Sequence, residues 1–156
     1  GGNLMRPYIV AAVSDHNGRI VERTEPHVVR TAETPKTAGI VKRIMKTVIT
    51  EGGTGVNAAL EGYSVSGKTG TAQKIDDTGK YARGKYVSSF LGFAPADEPK
   101  IVILVVVDEP QGEHYGGIVA APAFKKIAHE TLNYLNIPPV MEKDKLRVSI
   151  NTEGKG

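Results

Sequence analysis

The sequence has no cysteine. That absence excludes a disulfide framework, thiolate catalysis and cysteine-ligated zinc, and leaves the compartment open. A surplus of one charge sign is also missing. Twenty basic residues against 17 acidic ones leave +3, too thin an excess to indicate a nucleic-acid partner. No apolar run approaches the ~20 residues of a membrane span; the longest is Ile101 to Val107. The opening Gly1-Gly2-Asn3-Leu4 lacks the pattern of a secretory signal, so a protein working outside the cytoplasm needs something upstream to take it there. What is present is ordinary for a soluble globular protein: 156 residues, 40% apolar and 24% charged. By length alone this is one domain with a real core. The 18 glycines and 9 prolines make it loop-rich but not fibrous.

Tyr8 to Val13 reads as a strand, Asn17-Gly18 as a hairpin turn, and Arg19 to Thr24 as the returning strand. Thr34-Pro35 opens a helix, with Thr as N-cap and Pro at the first helical position. Val41, Ile44, Met45, Val48 and Ile49 fall at helical spacing, while Lys42, Arg43 and Lys46 read as its solvated face. Gly52 and Gly53 end it. Three strands are expected next: Tyr63 to Ala72, Tyr86 to Ala94, and Ile101 to Val107. The last is apolar on both faces and reads as a central strand. Only Pro95 to Pro99 joins it to its predecessor, which requires an antiparallel pair. Gln111 to Gly117 reads as a polar loop. Pro122 opens a final helix whose buried stripe is Phe124, Ile127, Ala128, Thr131, Leu132 and Leu135, stopped by Pro138-Pro139. Residues 140–156 read as a mobile charged tail. The expected class is α+β, an antiparallel sheet flanked by helices.

Two motifs overlap at Lys68. Gly62 to Thr69 matches G-x-x-x-x-G-K-[ST], a phosphate-binding loop pattern, and Ile101 to Asp108 resembles an apolar strand ending in a magnesium-binding carboxylate. A phosphate loop must follow a strand and open a helix. Here Gly70 follows Lys68-Thr69, and Thr71 to Gly79 carries no apolar stripe at helical spacing. Tyr63 and Val65 alternate with Ser64 and Ser66, as in a strand. The second motif is Lys68-Thr69-Gly70, extended to Ser66-Gly-Lys-Thr-Gly-Thr-Ala72. K-T-G is found in serine enzymes that handle penicillin. On a strand bordering a sheet, the Lys68 ammonium attracts a carboxylate and the Thr69 and Thr71 hydroxyls can hydrogen-bond it. Gly70 leaves room for a peptide along the strand edge. The N–H of Thr71 can serve as an oxyanion donor. His16, His27 and His129 show no ligand spacing, so no metal is expected, and no cofactor. Tyr86 and Phe90 are expected to pack rather than bind.

With these blocks in order, the chain resembles the C-terminal part of the transpeptidase domain of a class B penicillin-binding protein, of the septal, cell-division type. The resemblance rests on Gly1 to Pro7, the glycine-rich Thr50 to Gly55, Val65 to Lys74, Ser88 to Pro95, His114-Tyr115-Gly116-Gly117 and Ala120 to Phe124. It covers about Gly1 to Pro139 and implies the C-terminal portion of the penicillin-binding protein and serine β-lactamase-like fold. It further implies a peptidoglycan D,D-transpeptidase that cross-links stem peptides through a serine acyl-enzyme and is acylated by β-lactams. Such proteins are held at the outer face of the cytoplasmic membrane by an N-terminal helix, which implies an extracytoplasmic, periplasmic location. His114, Tyr115 and Gly116 are then expected as a substrate-side wall beside Lys68, Thr69, Gly70 and Thr71.

The family's nucleophile lies in S-x-x-K and a helper residue in S-x-N, both before K-T-G. A lysine one helical turn after the serine is what activates it. No serine of this chain has that lysine: Ser14, Ser64, Ser66, Ser88, Ser89 and Ser149 meet Asn17, Gly67, Thr69, Leu91, Gly92 and Thr152. The single S-x-N, Ser149-Ile150-Asn151, lies on the wrong side of K-T-G. Residues 1–139 are therefore expected to be an incomplete domain, inactive alone. Its expected partners are the N-terminal part of the same domain, peptidoglycan stem peptides, β-lactams and cell-division proteins, with no nucleic acid. Two alternatives are a nucleotide-binding enzyme built on Gly62 to Thr69, which a strand through Lys68 excludes, and a non-catalytic interaction module on the same fold.

Overall fold

The computed structural model describes residues 1–139; the segment 140–156, read above as a tail, lies outside the described residues. The chain divides into two units, Gly1–Val41 and the part from Lys42 onward.

In the first unit, β2 (Ala12–Ser14) and β3 (Ile20–Arg23) form the expected antiparallel hairpin, shorter than the alternation suggested. Asp15 holds the turn: its carboxylate accepts the N–H groups of Asn17 and Arg19, both at 2.9 Å. Gly18 takes a φ of +80°, where a side chain would be strained. A second pair, β1 (Asn3–Met5) with β4 (Val28–Thr31), was not anticipated, because each strand is too short to show a period.

Helix α1 spans Pro35–Thr47, and the Thr34 hydroxyl oxygen accepts the Thr37 N–H at 3.1 Å, as the N-cap reading required. The expected apolar stripe is only partly realised. The helix stops at Thr47, so Val48 and Ile49 pack against the core from a turn, while Val41 and Ile44 are exposed.

The second unit is organised on β5 (Ser66–Ile75), β6 (Tyr81–Ala94) and β7 (Ile101–Asp108), antiparallel in the order β5-β6-β7. β5 starts three residues later than expected and β6 five residues earlier, because a turn on Asp76 to Gly79 lets both strands run long. The register places Lys68, Leu91 and Leu104 in one row, and Thr69, Phe90 and Val105 in the next. Side chains of neighbouring rows point to opposite faces. The face of Thr69 and Phe90 is covered by α3 (Ala121–Tyr134), preceded by the short α2 (Gly116–Val119). So Gly116 and Gly117 open a helix rather than belonging to the loop. On α3 the buried side is Ala121, Phe124, Ala128 and Leu132; Ile127, and Leu135 just past the helix, are exposed.

The expectation of a central β7 is corrected. Among the described residues β7 is an edge strand. Ile101, Ile103, Val105 and Val107 pack toward the core, while Val102, Leu104 and Val106 are 68%, 60% and 53% exposed.

The centre of the unit is Phe90, fully buried and in tilted contact with Phe124 at 4.8 Å between ring centroids. A Cβ added to Gly55, Gly67 or Gly92 would come within 2.8, 2.6 or 2.9 Å of the Phe90 ring. The ring thus fills the space of three absent side chains, joining the glycine-rich turn, β5 and β6. At the other end of the sheet, Lys46 Nζ binds both carboxylate oxygens of Asp97 at 2.7 and 2.9 Å, and Ser64 Oγ reaches the same group at 3.1 Å. The Lys46 hydrogen bond holds the Asp97 carboxyl below the ordinary carboxylate range.

Phe124→Ala is expected to lower the unfolding free energy by about 3–5 kcal/mol, read by denaturant melts, because the site is closed on every side. Asp97→Asn should cost no more than about 1 kcal/mol at pH 7, since the pair is largely exposed. A depressed carboxyl stabilises above its unfolded value of about 3.9 and loses that contribution as pH falls through its lower folded value. Thermal melts of native and variant chains should therefore converge in acid.

Candidate active-site strand

Lys68 lies on β5, the other edge of the sheet, and is exposed. Its Nζ donates to the carbonyl oxygen of Thr69 at 2.7 Å, which folds the ammonium back over the strand edge. The strand runs straight through Lys68 to Ile75 with no helix after it. A phosphate-binding loop is thereby excluded, because the helix N-terminus that would complete the anion site is absent from this segment.

Thr69 and Thr71 share the opposite face. The Thr69 hydroxyl is 3.0 Å from that of Thr54. Thr71 Oγ1 accepts the N–H of Gly116 at 3.1 Å, so its own proton is free to donate. Gly116 and Gly117 are buried against this strand. A Cβ on Gly116 would overlap the carbonyl oxygens of Ser89 and Gly70, and one on Gly117 would overlap that of Thr54. Asn57 Nδ2 donates to the Gly117 carbonyl at 2.9 Å. The start of α2 is therefore pinned to β5 by one hydrogen bond and by close backbone approach, and to Asn57 by a second hydrogen bond.

The segment before α2 is fixed from β6. Ser88, fully buried, donates its hydroxyl to the His114 carbonyl oxygen. The His114 ring stacks on Tyr86 at 4.0 Å and 14°. Tyr115, 4.5 Å from His114, stays exposed. Tyr86 thus does more than pack into the core, whereas Phe90 packs as expected.

Beyond β5, Lys74 Nζ sits 2.9 Å from both Asp108 and Glu109. Glu109 foremost, then Asp108, holds the lysine above its ordinary range, and Lys74 in turn lowers Glu109. This cluster ties the far end of β5 to the end of β7.

The structure places Gly116 against Gly70 and Thr71 of β5 and holds His114 through Tyr86 and Ser88 of β6, with Tyr115 beside it; Lys68 reaches Thr69 and shares only the strand with the rest. Sequence reasoning had not assigned Thr54, Asn57, Ser88 or Gly117 to the site. Thr54, Gly117 and Ser88 lie in blocks already noted, though without a role there, while Asn57 carries no motif. A groove of about 360 Å³ between Leu60 and the Lys125–His129 face of α3 shares no residue with this cluster, so the candidate site is an open strand edge.

Comparison with known proteins agrees with this geometry. Residues 1–129 match the penicillin-binding protein transpeptidase domain. Stage V sporulation protein D of Bacillus subtilis is 41% identical over 141 residues, 89% of this chain and 22% of that protein. The peptidoglycan D,D-transpeptidase FtsI of Escherichia coli K12 is 41% identical over 119 residues, 74% of this chain and 20% of that protein. Penicillin-binding protein 3 of Mycobacterium tuberculosis, solved in complex with aztreonam, superposes with a TM-score of 0.76 at 33% identity, covering 90% of this chain and 33% of that one. The chain belongs to the penicillin-binding protein transpeptidase domain family, in its class B branch. It spans about a fifth of the length of these curated relatives.

Gly116→Ala is expected to push α2 off β5, with a loss of about 1–3 kcal/mol in denaturant unfolding, because backbone oxygens cannot rotate away from the new methyl. In amide exchange, the Gly116 N–H should lose protection together with its Thr71 acceptor.

Proposed function

We propose that this chain supplies the substrate-binding strand of a peptidoglycan D,D-transpeptidase and lacks the nucleophile. The observation that carries this reading is the Lys68–Thr71 segment at an open sheet edge, backed by Gly116 and Gly117. A substrate carboxylate only accepts hydrogen bonds, so it needs donors. The free proton of Thr71 and the hydroxyl of Thr69 offer them on one face, and the Lys68 ammonium folds back over the strand edge from the other to within 3.5 Å of the Thr69 hydroxyl. The N–H of Thr71 acts as an oxyanion donor. His114, Tyr115 and Gly116 form the wall on the substrate side.

The nucleophile comes from the N-terminal part of the same domain, through S-x-x-K and S-x-N motifs. Its docking surface is the exposed apolar face that shares a side with Lys68, namely Leu91, Val102, Leu104 and Val106. Residues 1–139 are on this reading an incomplete domain. The match to a β-lactam complex supports β-lactams as acylating ligands, and the FtsI and sporulation relatives support a role in division-type wall synthesis outside the cytoplasmic membrane.

Fluorescent penicillin tests this directly. The isolated chain should remain unlabelled, and labelling should appear when an N-terminal segment bearing S-x-x-K is supplied. Lys68→Ala in that pair should slow labelling by about 10- to 100-fold, the worth of a hydrogen bond to a charged group. Covalent labelling of the isolated 156 residues would overturn the reading.

A further inference from the structure

The far end of β5 carries an irregularity that the carboxylate site does not use. Gln73 stands opposite Tyr86 and Ile75 opposite Tyr81, so Lys74 alone faces the stretch from Ala82 to Lys85. Gly84 turns that stretch with a φ of +78°, and Gln73 Nε2 donates to the Ala82 carbonyl at 2.9 Å. A bulge re-aims a side chain. Here it is Lys74, whose ammonium lies 2.9 Å from a carboxylate oxygen of Asp108 and 2.9 Å from one of Glu109. Lys85, from the bulge itself, stands 3.8 Å from Glu109.

Two cations on Glu109 matter because of its backbone. Its φ is +46°, a left-handed conformation that a glutamate seldom adopts and that persists where neighbours hold it. Its N–H donates to the Tyr86 carbonyl at 2.9 Å, and its own carbonyl accepts Gln111 Nε2 at 3.1 Å. From this turn the chain runs through Pro110 to Glu113 and reaches His114. The His114 ring stacks on the same Tyr86, and its carbonyl is held by Ser88. Tyr86 therefore takes the Glu109 amide on its backbone and the His114 ring on its side chain.

We propose that Lys74 is a positioning residue for the His114–Tyr115 wall: by holding the Glu109 carboxylate it keeps the left-handed turn from which that loop starts. One strand then carries the carboxylate ligands near its beginning and the tether of the wall near its end. Asp108 is a second anchor for the ammonium but belongs to the regular strand, and its side chain is 66% exposed against 39% for Glu109. That Lys74 fixes the loop stands on these contacts alone; that the loop matters to acylation rests on the proposed function.

Proton–carbon spectra of the histidine rings read the loop in the 156-residue chain. The Tyr86 ring, 4.0 Å away and nearly parallel, shields the ring of His114. Lys74→Met keeps the apolar stem and removes the charge. The His114 signals should lose that shielding and move toward those of the exposed His16 and His27, with the Phe90 and Phe124 ring signals unmoved. Glu109→Gln should do the same and Asp108→Asn should not. Lys74→Arg should keep the native shifts, since a guanidinium also bridges carboxylates. With the S-x-x-K-bearing segment supplied, Lys74→Met should raise the penicillin concentration for half-maximal labelling rate by about two- to fivefold, the worth of an exposed ion pair. The limiting rate should stay unchanged. His114 signals that Lys74→Met leaves in place, or that Asp108→Asn moves as far, would overturn the tether. Moved ring signals with native labelling at every concentration would overturn the wall as the thing positioned. A native pair that takes no label would overturn the proposed function instead, and the ring signals would then decide the tether by themselves.

Discussion

Everything in the second unit leans on the ring of Phe90. It sits where the side chains of Gly55, Gly67 and Gly92 are missing and meets Phe124 of the last helix. One aromatic side chain therefore sets the spacing between the glycine-rich turn, β5, β6 and α3. Lys68 follows Gly67 by one residue, so the depth at which Phe90 seats β5 also sets where the ammonium stands. A larger residue at Gly55 or Gly67 would lift the glycine-rich turn or β5 from the ring, and one at Gly92 would meet Phe124 of α3 as well, which makes the glycines a packing requirement rather than a turn signal.

The period of two in the sheet then divides labour. The row of Thr69 and Phe90 faces α3 and is sealed; the row of Lys68, Leu91 and Leu104 faces outward. Thr69 and Thr71 stand at the seam, their hydroxyls tied to Thr54 and to the amide of Gly116. Residues of three distant segments are thus held against one strand end by short contacts of backbone on backbone. That rigidity suits a site proposed to present fixed donors to a carboxylate. The outward apolar row, unusual for a solvated surface, fits the proposal that the catalytic serine arrives on a separate part of the domain.

Much of this was legible in advance where local chemistry is strong. The Asn17-Gly18 turn, the Thr34 cap, the antiparallel return through Pro95 and the Phe124 face of the last helix all appear as the patterns required. The K-T-G triplet falls on a strand, and the phosphate-loop pattern on the same residues fails for want of a helix. The errors share a cause. β7 is apolar on both faces, and composition cannot tell a strand covered by neighbours in this chain from one whose outer face is left open. The stripe on α1 likewise continues in sequence past the point where the helix ends. Ser88 and Asn57 could not be found, because a serine on a strand and an asparagine in a turn acquire their roles only from the loop that folds against them.

The central claim is that the end of β5 receives a substrate carboxylate. The most direct measurement is a crystal structure of this chain together with the S-x-x-K-bearing segment that the proposed function calls for, acylated by a penicillin. The account predicts the drug's carboxylate within hydrogen-bonding distance of the Thr69 and Thr71 hydroxyls beside Lys68, with the acyl oxygen toward the Thr71 amide and the ester on a serine outside these 156 residues. A carboxylate bound away from β5, or an ester on Ser64, Ser66, Ser88 or Ser89, would contradict it.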